Sequence, residues 1–458
     1  MATSRSSLAF FLSIATTALL APGSHASAYS IRTIYSFCRQ GGSNCTDGGG
    51  PRGRLLEDAS GNLYGVTATG GGGLSGTIFE LIPAHHGAWK HKILHSFCVA
   101  SGCPDGAAPD SGLIADISGN LYGTTPAGGK YDQGIAYELT PNATRTRWRL
   151  KVLHDFCPGG DPHCPDGAFT AAPLTYDGAA SGALYDGTSA LYGVAPFGGA
   201  SEWGTVFRIQ PVTGKKIWSL RTLYNFCAQP NCADGASPLS GLPVDGSGNL
   251  LGTTASGQGS GNSGVVFELV PNAKKTKWSE TVLHSFCSVG NCLDGAFPSG
   301  GVVMDASGDL FGGTSEGGSG TAKCGGSFGC GVVYKIVPNG AASQETVLYN
   351  FCSFADCADG DGPAGDLLVD ASGNLLGATA FGGGNDTERG GAGGGTLFLS
   401  NEGHTVLYSF CAQSNCADGA QPLGDMIMDG AGNIFGIASV GGAIGLDSPG
   451  GTVFELSP

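Results

Sequence analysis

At 458 residues the chain is long enough for about three average domains, yet its 82 Gly and 23 Pro leave no stretch in which an amphipathic helix would persist. Only 13% of residues are charged, and 37 Asp and Glu against 22 Lys and Arg give a formal charge of −15, which excludes phosphate-rich polyanions, nucleic acid included, as general partners. The chain is predicted to be all-β.

Residues 1–26 contain Arg5, an apolar run from Leu8 to Leu20 and small residues ahead of Ser24-His25-Ala26, the anatomy of a secretory signal peptide. The run is too short for a stable span, and no second long apolar segment follows, so no membrane insertion is expected. Export would deliver residues 27–458 to the extracellular space or the periplasm. The leader holds one of the 22 basic residues and none of the acidic ones, so the mature balance is −16.

Next comes an isolated strand, residues 31–37, ending in Phe37, and with it a motif that recurs seven times: F-C, an interrupted stretch, then C-x-D-G, starting at Phe37, Phe97, Phe156, Phe226, Phe286, Phe351 and Phe410. The spacing of 59 to 70 residues defines a repeat. In the second unit, residues 112–116, 119–125, 134–139 and 148–156 are short runs rich in β-branched and aromatic residues, separated by turn formers. In the last of these, Trp148, Leu150, Val152 and His154 alternate with Arg149 and Lys151. Four strands per unit make a propeller blade. The final unit stops after its third strand, residues 451–456, so the opening strand supplies its missing fourth member. The prediction is one domain: a seven-bladed β-propeller of four-stranded antiparallel blades, its ring closed by the N-terminal strand. A linear solenoid is the competitor, but it would need capping repeats at its ends.

The 16 Cys fall into close pairs: Cys38/Cys45, Cys98/Cys103, Cys157/Cys164, Cys227/Cys232, Cys287/Cys292, Cys324/Cys330, Cys352/Cys357 and Cys411/Cys416. An even count behind a signal peptide reads as local disulfides, with connectivity left open. Their spacing is not that of zinc knuckles, and no haem attachment motif is present. No cofactor is expected. Calcium at Asp47, Asp105, Asp166, Asp234, Asp294, Asp359 and Asp418 of the C-x-D-G loops is conceivable, but each loop offers one certain carboxylate where calcium takes six to eight oxygens. A residue present in every unit is read as scaffold, and Asp-Gly is a strong turn former. The same logic assigns His95, His154 and His284 to a strand slot filled elsewhere by Tyr35, Tyr224, Tyr349 and Tyr408, and treats Trp89, Trp148, Trp218 and Trp278 as packing residues.

Antiparallel order places the cystine loops and the Gly-rich connections of strands two and three on one face of the ring. The opposite face collects Lys90, Lys92, Arg145, Arg147, Arg149, Lys151, Lys215, Lys216, Arg221, Lys274, Lys275 and Lys277. These are read first as strand-edge guards, and second as an arc for an acidic surface.

Departures from the repeat are the better pointers to function. Blade three carries an insertion around residues 178–186 and has Phe197, Glu202 and Trp203 in its Gly-rich loop; blade two has Lys130, Tyr131 and Asp132; blade five has Phe328 between its extra cysteines; blade six has Asp386, Glu388 and Arg389. All are assigned to the cystine face. The candidate contact residues are Trp203, Phe197, Glu202, Tyr131, Phe328 and Arg389, with Trp203 first because a flat aromatic at a ring mouth buries a large area at low entropic cost. The alternative for Trp203 is a plug over the blade-three insertion. No nucleophile elbow, zinc helix or phosphate loop is found, and no catalytic residue is assigned. The function expected is a binding module for a glycan, peptide or protein, acting as a monomer; the alternatives are an extracellular polysaccharide hydrolase or lyase, and a passive surface component.

The unit L-Y-S-F-C, D-G, P, G-L-x-x-D-x-x-G-N-L-Y-G-T-T-x-x-G-G, G-T-V-F-E-L-x-P resembles the GloVer (Gloeo_Verruco) tandem repeat of exported bacterial proteins. The resemblance runs from Ile31 to Pro458. It is closest at Gly61-Asn-Leu-Tyr-Gly65 with Gly76-Thr-Ile-Phe-Glu-Leu81, and loosest where Thr188-Ser-Ala replaces the Gly-Asn turn. It implies an extracellular propeller-like array and carries no catalytic residue. Family members often bear a C-terminal sorting anchor, and none is visible here, which favours release.

Overall fold

A computed structural model of the chain describes residues 29–40, 42–160, 163–179, 182–257, 263–320, 324, 329–370, 372–384, 393–400, 403–446 and 450–458. Residues 1–26, expected to be a signal peptide, lie outside them.

Seven antiparallel sheets form a ring. Blade one shows the pattern: Gly49–Glu57 innermost, then Leu63–Thr69, Thr77–Pro83 and Trp89–Ser96 outermost. In the seventh blade the outermost place is taken by Ser30–Ser36, which pairs antiparallel with Thr452–Ser457, Ile31 opposite Leu456 and Tyr35 opposite Val453. Ion pairing of Arg32 with Glu455 adds to this closure. The chain ends thus meet in one sheet, and the linear alternative is excluded.

The F-C motif explains how blades are joined. Its Phe leaves the outermost strand and packs edge-on or tilted, at about 60°, against an aromatic residue on the third strand of the next blade. The seven pairs, from Phe37–Phe79 to Phe410–Phe454, have ring centroids 4.9–5.5 Å apart. All seven motif Phe residues are fully buried. Each blade also donates one backbone N–H, from the segment just after its Asp-Gly turn, to the Gly-rich loop of the preceding blade, for example Phe169 to Gln133 O at 3.0 Å and Ser237 to Trp203 O at 2.8 Å. These donors have left-handed backbone, Phe169 at φ 60° and Ser237 at φ 55°. A β-branched residue there would be strained.

The fourth strands depart from simple alternation. Each contains a bulge, at Ile34, Leu94, Leu153, Leu223, Leu283, Leu348 and Leu407, where the register slips by one residue. Without it the following Tyr or His would point the other way; with it, that side chain is turned onto the cystine loop.

Beneath each bulge, two residues earlier than the bulge-side position, lies a second inward slot, occupied by Leu150, Leu220 and Glu280 opposite Leu139, Ile209 and Leu269. Glu280 has a buried Oε1 without a hydrogen-bond partner. Burial, and secondarily the charge of Asp234, push its carboxyl up to about 7. The folded state therefore holds a proton that the unfolded chain releases between about pH 4.5 and 7, and stability present at acid pH is lost as pH rises through that window. Glu280→Leu, which installs the residue of blades two and three, is expected to raise stability at pH 8 by about 2 kcal/mol after allowance for solvent screening on its open side. Urea titrations at pH 5 and pH 8 check this: the gain should shrink at the lower pH.

Candidate functional site

All eight expected disulfides are present, and the pairing left open by the sequence is local throughout. Cys38–Cys45, Cys98–Cys103, Cys157–Cys164, Cys227–Cys232, Cys287–Cys292, Cys352–Cys357 and Cys411–Cys416 close the loops between blades, and Cys324–Cys330 closes the extra one. The sulfurs of Cys324, Cys330 and Cys352 lie within 4.8 Å of one another, but all three are spent in disulfides and offer no thiolate to a metal. The Gly-rich loops lie on the same face and bond to the cystine loops, as in Gly129 N–H to Cys103 O and Gly199 N–H to Cys164 O, both 2.9 Å. Within each cystine loop the C-x-D-G aspartate is an organising acceptor. Asp47, Asp234, Asp359 and Asp418 each accept a Tyr hydroxyl from the re-aimed strand slot at 2.7–2.9 Å. His95, His154 and His284 reach Asp105, Asp166 and Asp294 at 2.8, 2.6 and 3.4 Å. Backbone N–H groups at the start of each loop occupy further carboxylate positions, as Ala228 and Gln229 do on Asp234. An ion in such a loop would have to displace these donors.

Blades two and three break this uniformity. Their shared cystine loop has a separation of seven between Cys157 and Cys164, as has Cys38–Cys45, against five in the other inter-blade loops. The longer loop carries His163 outward, where its Nδ1 bonds the carboxylate of Glu202 from the blade-three Gly-rich loop. Glu202 is held at φ 65°, a left-handed turn position that Asp132 shares in blade two at φ 57°. Phe197 precedes that loop and meets Phe169 edge-on, with centroids 5.7 Å apart. Tyr131 comes from the blade-two loop, with the Lys130 ammonium 5.1 Å from its ring centroid. Hydrogen bonding to Lys130 holds the Tyr131 phenol below its ordinary value. Together Tyr131, Phe169, Phe197, His163 and Glu202 line a pocket of about 420 Å³. Phe169 and Phe197 remain 41% and 50% exposed, so large apolar area stays open to a partner.

Three of the six candidates, Tyr131, Phe197 and Glu202, are therefore brought together. Trp203 lies on the same loop and is 45% exposed, but it does not line the pocket; its backbone carbonyl serves the inter-blade bond to Ser237. Phe328 and Arg389 lie outside the described residues, as do Asp386 and Glu388. His163 and Phe169 escaped the sequence reading. Both had a signal: His163 sits in a lengthened cystine loop, and Phe169 precedes Thr170 where most units have Pro.

Two expectations, the face of the blade-three insertion and the covering role of Trp203, are corrected. The blade-three insertion belongs to the connection between its first two strands, so it lies on the face opposite the cystines. There Tyr185 is fully buried, packs on Tyr122 of blade two at 5.2 Å, and its carbonyl accepts Ile117 N–H at 2.9 Å. Trp203, on the other face, therefore cannot cover it. On the basic arc, Lys92 bonds Glu80 at 3.0 Å and the Arg145 carbonyl at 2.7 Å, Arg221 bonds the Thr276 carbonyl at 2.7 Å, and Lys275 bonds Asp177 at 2.7 Å. These cations serve inter-blade and intra-blade contacts.

The second cysteine of each loop is the cross-link position expected from the sequence, and the structure adds a local feature to it. Cys232, Cys292, Cys357 and Cys416 each end a three-residue 3-10 turn, and Cys45 directly follows one. Cys45, Cys232, Cys292, Cys357 and Cys416 have left-handed backbone, with φ between 43° and 52°. Their cystine partners have Cα atoms only 3.9–4.1 Å away, and so tight a closure needs the chain to reverse at once. The reversal turns each carbonyl inward, where it accepts the N–H of the Asp-Gly glycine at 2.8–2.9 Å: Gly48 to Cys45, Gly235 to Cys232, Gly295 to Cys292, Gly360 to Cys357 and Gly419 to Cys416. Cys45, Cys292, Cys357 and Cys416 are also buried, which makes them structural and removes them from any contact surface.

Residues 24–190 and 175–322 match the model of the Gloeobacter/Verrucomicrobia repeat. The chain belongs to this family. The unit of the Gloeobacter/Verrucomicrobia repeat, as seen here, is one blade begun by an inter-blade Phe and a cystine loop. No curated protein matches the chain. Among solved structures it is similar to the NanB sialidase of Streptococcus pneumoniae, with 13% identity, a TM-score of 0.41, and coverage of 93% of this chain and 70% of the sialidase. It is also similar to a puromycin-hydrolyzing peptidase of Mycobacterium tuberculosis, with 12% identity, a TM-score of 0.47, and coverage of 89% of this chain and 52% of the peptidase. The chain thus spans about half the length of the peptidase. Neither likeness bears on activity.

Proposed function

We propose that this Gloeobacter/Verrucomicrobia repeat protein is an exported binding module that takes a glycan, peptide or protein segment in the pocket between blades two and three. The carrying observation is the gathering of Tyr131, Phe169 and Phe197 around the His163–Glu202 pair, where a lengthened cystine loop lies between two Gly-rich loops that bear large side chains. Exposed aromatics supply area for stacking, and the paired His and Glu supply directional polar contacts. Eight disulfides suit an oxidising compartment outside the cytoplasm, and no helix among the described residues is long and apolar enough to cross a membrane.

Binding is favoured over glycoside cleavage because Glu202 is the sole carboxylate among the described lining residues, whereas that chemistry takes two. Glycan and peptide arrays probed with the oxidised protein test the reading. Hits should weaken about tenfold on Phe197→Ala and on Tyr131→Ala, and less on Trp203→Ala. Blank arrays accompanied by polysaccharide-degrading activity would overturn it.

A further inference from the structure

The ring encloses an axial cavity of about 740 Å³ to which all seven blades contribute. Midway along each innermost strand, just before the buried Leu55, Leu113, Leu174, Leu242, Val302, Leu367 and Met426, stands one equivalent residue per blade. A scaffold position would repeat. Instead, blades two to five have Gly112, Pro173, Gly241 and Gly301, while blades six, seven and one have Asp366, Asp425 and Arg54. These three charged blades are consecutive only because the ring closes between the seventh and the first.

The two carboxylates are held by single backbone donors: Gly301 N–H to Asp366 at 2.5 Å, and Asp366 N–H to Asp425 at 2.7 Å. Arg54 is exposed toward the cavity and forms no ion pair among the described residues, although its charge reaches both acids. The neighbouring Arg52 and Asp110 are already matched with each other at 3.6 Å. Two further groups are unsatisfied here. The buried Ser299 Oγ on the cavity wall lacks a partner, and so does the hydroxyl of Tyr334, a fully buried side chain that lies over Gly312 within reach of the Asp366 charge. Burial raises the pKa of Asp366 and of Asp425, as expected of acids without a counter-ion in contact.

We propose that the axial cavity is a second ligand site, which takes a small amino-carboxylate with its ammonium at Asp366 and Asp425 and its carboxylate at Arg54. The charges favour this class over its neighbours. A simple anion would face two acids, and a bare divalent cation would face Arg54 and too few oxygens. A neutral sugar would find Tyr176 as the one aromatic among the described lining residues. An ammonium at the acid pair also displaces the proton that the pair retains, so binding and proton release are coupled.

Isothermal titration of the oxidised full chain with glycine, 4-aminobutyrate and L-lysine, against butylamine, butyrate, calcium chloride and maltotriose, tests the site. At least one amino-carboxylate should bind tenfold or more tighter than butylamine and butyrate, with protons released at pH 6.5, as read from buffers of different ionisation heat. Asp425→Asn should abolish binding, and Arg54→Gly, the residue of three other blades, should reduce it to the butylamine level. Phe197→Ala should leave it unchanged, which separates this site from the pocket between blades two and three. Silence from all three amino-carboxylates, tighter binding of calcium or maltotriose, or affinity unaffected by Asp425→Asn in a variant with an unchanged melting curve would overturn the proposal.

Discussion

Deleting residues 29–37 should abolish the cooperative unfolding transition of the protein, and adding the same nine residues as a free peptide should restore it. The segment provides the whole outer strand of the seventh blade and ends in Phe37, which is fully buried against Phe79 of blade one. Loss of Phe37 with the half-buried Ile31, Ile34 and Tyr35 removes about 6 kcal/mol of apolar burial, an amount comparable to the total stability of many domains. It also uncovers the edge of Thr452–Ser457, a template for association. Circular dichroism melts with and without peptide, together with light scattering, measure both effects. A deletion variant that melts like the parent would show that closure through this strand contributes little.

Asp234→Ala is expected to cost about 4 kcal/mol. The carboxylate is fully buried and accepts the Tyr224 hydroxyl at 2.8 Å and the N–H groups of Ala228 and Gln229 at 2.9 and 3.1 Å. Its removal leaves three donors facing an apolar site, each worth about 1 kcal/mol or more when unpaired. Tyr224→Phe removes one of them and should cost about 1 kcal/mol, whereas Tyr224→His should be nearly neutral, because blades one, two and four already use His in that slot. Urea midpoints for the three variants settle the ranking. If Asp234→Ala cost no more than Tyr224→Phe, the carboxylate would have no organising role.

Much of this scaffold was legible beforehand because its parts are local and repeated. Cysteines five to seven residues apart, an Asp-Gly turn and four short strands recur seven times, so periodicity exposes them even where each signal is weak. The assignment of His95, His154 and His284 to a Tyr slot rested on the same repetition, and the contacts now show why either ring serves: His95 and His154 hydrogen-bond the aspartate of their loop as Tyr does elsewhere, and His284 lies 3.4 Å from Asp294. The fourth-strand bulge was invisible, since an extra Leu at position 153 leaves the hydrophobic pattern looking continuous while it turns His154 onto Asp166. The helical turns at Cys232, Cys292, Cys357 and Cys416 were equally hidden, because three residues are too few to show a period and the left-handed cysteine that ends each turn is not a residue type that favours that backbone. The blade-three insertion was given to the wrong face for a related reason: its length is plain in the sequence, but its side of the ring depends on which two strands it joins.

The candidate pocket was only partly legible. Tyr131, Phe197 and Glu202 stood out as breaks in the repeat, but nothing in their spacing says that blade two and blade three present them to one cavity, or that His163 completes the group. Arg54, Asp366 and Asp425 are the extreme case, lying in ordinary inner strands up to 371 positions apart in a chain of 458. What the amino-acid order settled alone was the unit: its strands, the places of its cysteines and its count, because these depend on contacts within some 70 residues and are stated seven times over. Which exceptional residues face one another was decided by the closed ring, whose curvature brings neighbouring blades and the two chain ends into contact, and by bulges and left-handed turns that set the direction of a side chain without altering the pattern in which it is embedded.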